Sequence, residues 1–241
     1  MNIVTTVKQI KGKAIIVGSG IGGLSAALRL AHEGFSVTVL ERQDSPGGKM
    51  RTLPSEAGPV DAGPTVLTLK PIFEELFNSV HENLDSHLPL IRQKILARHW
   101  WPDGSKLDLF DDYESSQKAI YEFSGLTGFR EFQKFFRKTQ RLFNAFEGSM
   151  IYAAAPTFWN MAKLVLTSPD LAKDIAPFRT LAKTLSKDFT DPRLAQLFGR
   201  YATYVGGSPY FSPTLLSLIW QAEAKGVWSI KGGMYSLIKK I

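Results

Sequence analysis

Gly18-Ser19-Gly20-Ile21-Gly22-Gly23 lies between an apolar run, Ala14-Ile15-Ile16-Val17, and a stretch of helical pattern, Leu24 to Glu33. A second apolar run, Ser36 to Leu40, ends on Glu41. Strand, glycine turn, helix, strand and acid follow in the order that a dinucleotide-binding βαβ unit requires. Each part has a physical task. Gly18 permits the tight turn, Gly20 lets the backbone approach a pyrophosphate, and Gly23 lets the helix lie close on the strand. The helix N-terminus offers free N–H groups and a positive dipole end to phosphates, which brings Ile21 and Gly22 into the site. Glu41, 18 residues beyond Gly23, is placed to accept hydrogen bonds from ribose hydroxyls. Its charge argues against a 2′-phosphate, and so against NADP.

Composition bounds the alternatives. A chain of 241 residues, 44% hydrophobic, can form one large domain or two small ones with a real core. With no cysteine there is neither a disulfide nor a thiolate nucleophile. The four histidines, His32, His81, His87 and His99, show no metal-ligand spacing. Met1 to Lys13 has no apolar core of signal-peptide length, so a cytoplasmic location is expected. Charge is unevenly divided. Residues 1–91 carry 8 Lys/Arg against 9 Asp/Glu, and residues 92–241 carry 21 against 13. The net +7 therefore belongs to the second part, where an anionic membrane surface or a nucleic acid is the natural partner class.

After the βαβ unit come two glycine-rich turns, Pro46-Gly47-Gly48-Lys49-Met50-Arg51 and Val60-Asp61-Ala62-Gly63-Pro64-Thr65. Pro71 to Val80 reads as a short helix. Ile95–Trp101 and Lys106–Phe110 read as a hairpin around Pro102-Asp103-Gly104-Ser105, and Asp111 or Asp112 caps a helix reaching about Phe123. Thr127 to Phe146 is an amphipathic helix. Phe129, Phe132, Phe136, Leu142, Phe143 and Phe146 share one side; Arg130, Lys134, Arg137, Lys138 and Arg141 share the other. That face is either solvated or meets anionic lipid. Gly148 to Ala162 has fifteen residues without a charge. It is shorter than the roughly 20 needed to span a bilayer and is interrupted by Pro156, so it is expected to be buried or to dip shallowly into a membrane. Asp191 or Pro192 starts a helix running through Arg200-Tyr201-Ala202-Thr203-Tyr204. Ser212 and Pro213 open another in which Leu215, Leu216, Leu218, Ile219, Trp220 and Ala222 are apolar nearly all round. Lys231-Gly232-Gly233-Met234 leads into a last short helix. Nucleic acid is disfavoured, because the aromatic residues of the basic helix lie opposite its cations and no docking motif appears.

Gly47-Gly48, separated from Glu41 by five residues, resembles the extended FAD fingerprint of the amine-oxidase-like flavoproteins, with Lys49 where arginine is commoner. Asp61-Ala62-Gly63-Pro64-Thr65 resembles that family's loop beside the isoalloxazine. Phe198-Gly199-Arg200-Tyr201-Ala202-Thr203-Tyr204-Val205-Gly206-Gly207-Ser208-Pro209-Tyr210 and Gly226-Val227-Trp228-Ser229-Ile230-Lys231-Gly232-Gly233-Met234 resemble the bacterial carotenoid desaturases of phytoene-desaturase type, nearest to the 1-hydroxycarotenoid 3,4-desaturase branch. The resemblance runs from Lys13 to Ile241.

The resemblance implies an α/β fold. An incomplete Rossmann-type FAD-binding part (1–91) would carry an inserted, mostly helical α+β region for substrate and membrane contact (92–225), and 226–241 would begin the return to the FAD domain. It implies FAD as cofactor, held by Gly18, Gly20, Ile21, Gly22, Gly23, Glu41, Arg42, Gly47, Gly48, Lys49, Asp61, Gly63, Pro64 and Thr65, with no metal. The implied reaction places a carbon–carbon double bond in a C40 carotenoid precursor, a hydroxy- or methoxy-neurosporene type of compound. A quinone or oxygen would be the electron acceptor, at a peripheral site on the bacterial inner membrane. Phytoene desaturation, a relative of the amine or protoporphyrinogen oxidases, and an inactive truncated remnant stand as alternatives. Family members are considerably longer, and their later half supplies a second glycine-rich FAD contact. A separately encoded C-terminal half is therefore an expected partner. No residue is assigned as catalytic base; Arg200, Tyr201 and Tyr204 enter on motif membership alone, with a structural role equally open.

Overall fold

The computed structural model describes residues 10–148, 152–153 and 168–241. Nearly all of the uncharged stretch Gly148–Ala162, and the leader reading of residues 1–9, lie outside the described residues. The chain divides into two compact units: residues up to Gln93 together with Val227–Ile241, and Lys94–Gly226.

The first unit opens with β1 (Gly12–Val17), α1 (Ile21–His32) and β2 (Phe35–Leu40). The two strands pair in parallel, from Gly12 opposite Phe35 to Val17 opposite Leu40. Burial alternates along both, as a pleated strand with one covered face demands. Ala14, Ile16, Val37 and Val39 point to the covered side, while Ile15, Val17 and Leu40 are exposed. The short strands β3 (Thr52–Leu53) and β4 (Val60–Asp61) pair antiparallel. Then follow β5 (Leu67–Thr68), α2 (Lys70–Asn78), α3 (Leu84–His87) and β6 (Leu90–Arg92).

The second unit starts with the expected hairpin, β7 (Ile95–Trp100) and β8 (Lys106–Phe110), with a bulge between Ile95 and Ala97. Asp112 caps α4 (Tyr113–Phe146) by accepting from Ser115 N. Gly125, at φ 67° and ψ −166°, breaks α4 into the two helices anticipated from the sequence. Next come α5 (Pro169–Ile175), α6 (Leu181–Asp188), α7 (Pro192–Gly199) and α8 (Ile219–Ala224). The helix expected through Tyr204 ends at Gly199 and continues as a 3-10 turn, Arg200–Val205. A 3-10 turn, Thr214–Leu218, likewise precedes α8.

The core of this unit is aromatic. Phe198 lies within 4.4–5.9 Å, ring centroid to centroid, of Phe135, Phe189, Trp220 and Phe132. The apolar face of α4 is packed, as its amphipathic pattern anticipates, with Phe132, Phe135, Leu142, Phe143 and Phe146 buried; in detail it differs. Phe135 replaces Phe129 in the buried set, and Lys138 leaves the free basic face to pair with Asp188. In the segment 214–223, the buried side chains include Thr214, Ser217, Gln221 and Glu223, while Leu215, Leu216, Leu218 and Ile219 are only partly covered. Three of these polar groups are paired inside: Thr184 with Thr214 at 2.7 Å, Gln221 Nε2 donating to Thr139 at 2.8 Å, and Glu223 as described below.

Residues 227–241 belong to the first unit. β9 (Val227–Ile230), absent from the sequence reading, sits between β5 and β6 in an antiparallel sheet. α9 (Tyr235–Ile238) follows. Ile230, Met234 and Leu237 join Leu67, Phe77, Leu84 and Leu88 in one buried cluster.

Candidate functional site

The predicted glycines fall into two physical kinds. Some are joints. A Cβ on Gly23 would stand 2.0 Å from Gly18 O, one on Gly47 2.3 Å from Met50 O, and one on Gly63 1.9 Å from Lys49 O. No real side chain tolerates such contacts, so glycine at these positions lets residues 18–23, 47–51 and 61–63 interlock. Gly18 and Gly47 also adopt φ of 96° and 120°, a region that side chains disfavour. Gly47 N donates to Ser19 O at 2.8 Å, which docks the second glycine turn on the first.

Gly20 and Gly22 are of the other kind. A Cβ on either meets nothing within 4 Å. They border open space at the N-terminus of α1, whose cap position is Gly20 itself. No side chain caps this end, and no acid sits in its first turn. The free N–H groups of that turn suit a phosphate. The residues present thus fit the diphosphate of a dinucleotide.

Glu41 is engaged by the protein. Its Oε2 accepts from Ser19 N at 2.8 Å and Ser19 Oγ at 2.6 Å, and its Oε1 accepts from Arg42 N and Gln43 N at 2.8 Å each. These bonds, the Ser19 hydroxyl foremost, hold its carboxyl down at about pKa 2. Ser19, which the sequence reading left out of the site, thus holds this acid through both its N–H and its hydroxyl. Asp61 is likewise occupied: its carboxylate accepts from Met234 N at 2.8 Å and Tyr235 N at 3.4 Å, tying β4 to the start of α9. Arg42, Lys49, Pro64 and Thr65 lie exposed.

The model of a NAD(P)-binding Rossmann-like domain matches residues 16–81, the segment holding every one of these groups. The fold is therefore Rossmann-type α/β. Over 230 residues the chain is 51% identical to a hydroxyneurosporene desaturase of Cereibacter sphaeroides, covering 95% of this chain and 46% of that protein. A hydroxyneurosporene desaturase of Rhodobacter capsulatus is 48% identical over 223 residues, covering 92% of this chain and 45% of that one. Close homologues of this chain are hydroxyneurosporene desaturases, a 4,4'-diapolycopene oxygenase and a 1-hydroxycarotenoid 3,4-desaturase. The chain spans about half the length of these desaturases. Among solved structures, putrescine oxidase bound to putrescine superposes with a TM-score of 0.61 at 17% identity, covering 96% of this chain and 48% of that one, a likeness of fold.

One constellation shared by no single sequence segment stands in the second unit. Glu223 is buried. Its Oε2 accepts from Arg200 Nη2 and, at 2.8 Å, from the Tyr201 hydroxyl; its Oε1 accepts from the Tyr204 hydroxyl. Arg200 also donates to the Tyr201 oxygen at 3.0 Å. Burial, reinforced by Glu223, pushes both phenols up, so both stay protonated as donors. Arg200, Tyr201 and Tyr204, singled out only by their motif, are thus brought together by a residue the sequence reading passed over. Glu223 follows apolar Trp220 and Ala222, and its only signal was an isolated acid in an apolar run.

Proposed function

We propose that this chain is the nucleotide-binding and substrate-contacting portion of an FAD-dependent oxidoreductase that introduces carbon–carbon double bonds into a carotenoid precursor. The observation carrying this reading is the glycine constellation at the N-terminus of α1 in a chain 51% identical to a hydroxyneurosporene desaturase. The substrate class is a hydroxylated or methoxylated polyene of neurosporene type, desaturated at the 3,4 position.

In this reading Gly20, Ile21 and Gly22 take the diphosphate, Glu41 and Ser19 take the ribose, and the turns around Gly47-Gly48 and Gly63 fix the cradle. Arg42, Lys49, Asp61, Pro64 and Thr65 complete the cofactor side. Flavin, when bound, supplies the hydride-accepting chemistry. The protein's own part is to orient the two reactants and exclude water. Quinone or oxygen serves as electron acceptor.

A C40 polyene lives in lipid, so the protein meets the membrane peripherally. The exposed cations Arg130, Lys134 and Arg137 of α4 support that contact. Among the described residues no helix is long and apolar enough to cross a membrane. The exposed apolar side chains Ile15, Val17 and Leu40 of the parallel strands support a further polypeptide segment packed against them.

The test is flavin retention by the purified chain, read by visible absorbance and by titration with FAD. Gly20→Ala adds a methyl group where nothing lies within 4 Å. It is expected to fold normally and to weaken FAD binding by about tenfold or more, through a lost phosphate contact worth about 1.5–3 kcal/mol. A chain that takes up no FAD, or a variant that binds it unchanged, overturns the reading.

A further inference from the structure

We propose that Trp220, Tyr201 and Tyr204, with Glu223 as their shared proton acceptor, form a relay that carries a one-electron oxidation from the aromatic core of the second unit out to its surface. The relay lies wholly within that unit and uses no cofactor. It therefore goes beyond the reading above, and its failure leaves the nucleotide site untouched.

Three oxidisable rings stand in series. Trp220 is 1% exposed, and its ring centroid lies 6.4 Å from that of Tyr201. Tyr201 is fully buried and lies 6.0 Å from Tyr204, which is 49% exposed. Such spacings are those of touching aromatic pairs, so an electron crosses each gap without a carrier. Phe132 and Phe198, also against Trp220, are phenyl rings that resist oxidation.

The protons set the direction. Burial, reinforced by Glu223, pushes both phenols up, so they are protonated at rest. A phenol that loses an electron becomes a very strong acid and must shed its proton. Each phenol already donates to Glu223, Tyr201 to Oε2 at 2.8 Å and Tyr204 to Oε1. One carboxylate thus serves both rings, one oxygen for each. Trp220 Nε1 has no hydrogen-bond partner. Its oxidised indole has nowhere to send a proton and remains a cation, which makes it the stronger oxidant. Arg200 sharpens the gradient. Its guanidinium lies 4.6 Å from the Tyr201 ring centroid and donates to the Tyr201 oxygen at 3.0 Å. A fixed positive charge there opposes the loss of an electron. The oxidation therefore comes to rest on Tyr204, at the solvent edge.

The steps balance. Trp220 gives one electron to an excited-state or radical oxidant; under ultraviolet excitation the acceptor is dioxygen, which becomes superoxide. Tyr201 returns an electron to Trp220 while its proton passes to Glu223 Oε2. Tyr204 then returns an electron to Tyr201. The Tyr204 O–H bond breaks, its proton passes to Glu223 Oε1, and Tyr201 recovers its own proton from Oε2. A soluble reductant of the ascorbate class gives the exposed Tyr204 phenoxyl one electron and one proton, and Glu223 releases its proton to solvent.

The test is an ultraviolet flash on the purified chain in air-saturated buffer. Transient absorbance follows tryptophanyl and tyrosyl radicals, and electron paramagnetic resonance of frozen samples identifies them. A tyrosyl radical is expected to rise as the tryptophanyl radical decays, more slowly in heavy water, and to be discharged by ascorbate. Trp220→Phe should remove most of the rise. Tyr204→Phe should leave the radical inside the core and abolish its discharge by ascorbate. Tyr210 is the control, being 70% exposed. Exposure alone would make it the outlet, whereas the relay predicts that Tyr210→Phe changes nothing.

An unchanged rise in Trp220→Phe overturns the proposal. So does ascorbate discharge that survives Tyr204→Phe or is lost in Tyr210→Phe, or a rise equally fast in heavy water. Should Trp220→Phe fail to fold, the half-exposed Tyr204→Phe and the heavy-water rate of the unaltered chain decide without it.

Discussion

The cradle at α1 and the cluster around Glu223 are built on opposite principles. The cradle is made of backbone. Its working groups are the N–H groups of a helix end, and its specificity lies in what is absent: Cβ atoms at Gly18, Gly20, Gly22, Gly23, Gly47 and Gly63. The cluster is made of side chains. It gathers Arg200, Tyr201 and Tyr204 from a 3-10 turn and Glu223 from α8, seated against an aromatic core. A backbone site tolerates changes around it and fails when a single methyl group is added. A side-chain site depends on the packing beneath it.

That contrast breaks first at the packing. Phe198 is fully buried among four aromatic rings. Phe198→Ala leaves a large cavity and is expected to cost about 3–5 kcal/mol in denaturant unfolding. It should collapse the Glu223 cluster while FAD uptake by the first unit survives. Loss of both together would show that the two units fold as one.

Gly23→Ala is the complementary test. It forces a methyl group to 2.0 Å from Gly18 O, with an expected cost of about 1–3 kcal/mol. FAD uptake should be abolished and polyene binding kept. Uptake that persists would mean that the turn relaxes easily, and so that its geometry is not what selects glycine.

The smallest effect sharpens the comparison by pH. The Glu41 carboxyl is lowered in the fold, from an ordinary 4.5 to about 2. Its contribution to holding the glycine turn is therefore complete above about pH 4.5 and is lost as pH falls towards 2. Protection of the Ser19 amide from hydrogen exchange, taken relative to its intrinsic rate at each pH, should fall across that window. In Glu41→Gln exchange should be faster already at neutral pH, without the added step. The same exchange profile in both proteins would assign the turn's stability to its glycines alone.

The sequence carried the first unit's site well because the βαβ unit is local: strand, turn, helix and acid lie within Gly12–Glu41, and steric exclusion writes itself as glycine. The hairpin 95–110 and the Asp112 cap were legible for the same reason. What escaped has long-range causes. β9 is four residues whose strand character is completed by pairing with β5 and β6 from far upstream. Nothing in the sequence signals that the Asp61 carboxylate also holds the backbone of Met234 and Tyr235, more than 170 residues later. The segment 214–223 read as apolar nearly all round, yet it is Thr214, Gln221 and Glu223 that their partners Thr184, Thr139 and Arg200 draw inside.

The sequence by itself determined that a nucleotide's phosphates can be held at Gly18–Gly23. Hard-sphere contact and helix polarity act over a few residues and need no further context. Only the tertiary structure decided that Ser19 holds Glu41, that Lys138 leaves the basic face for Asp188, and that Arg200, Tyr201, Tyr204 and Glu223 meet. Those outcomes depend on which distant donors and acceptors burial brings within hydrogen-bond reach.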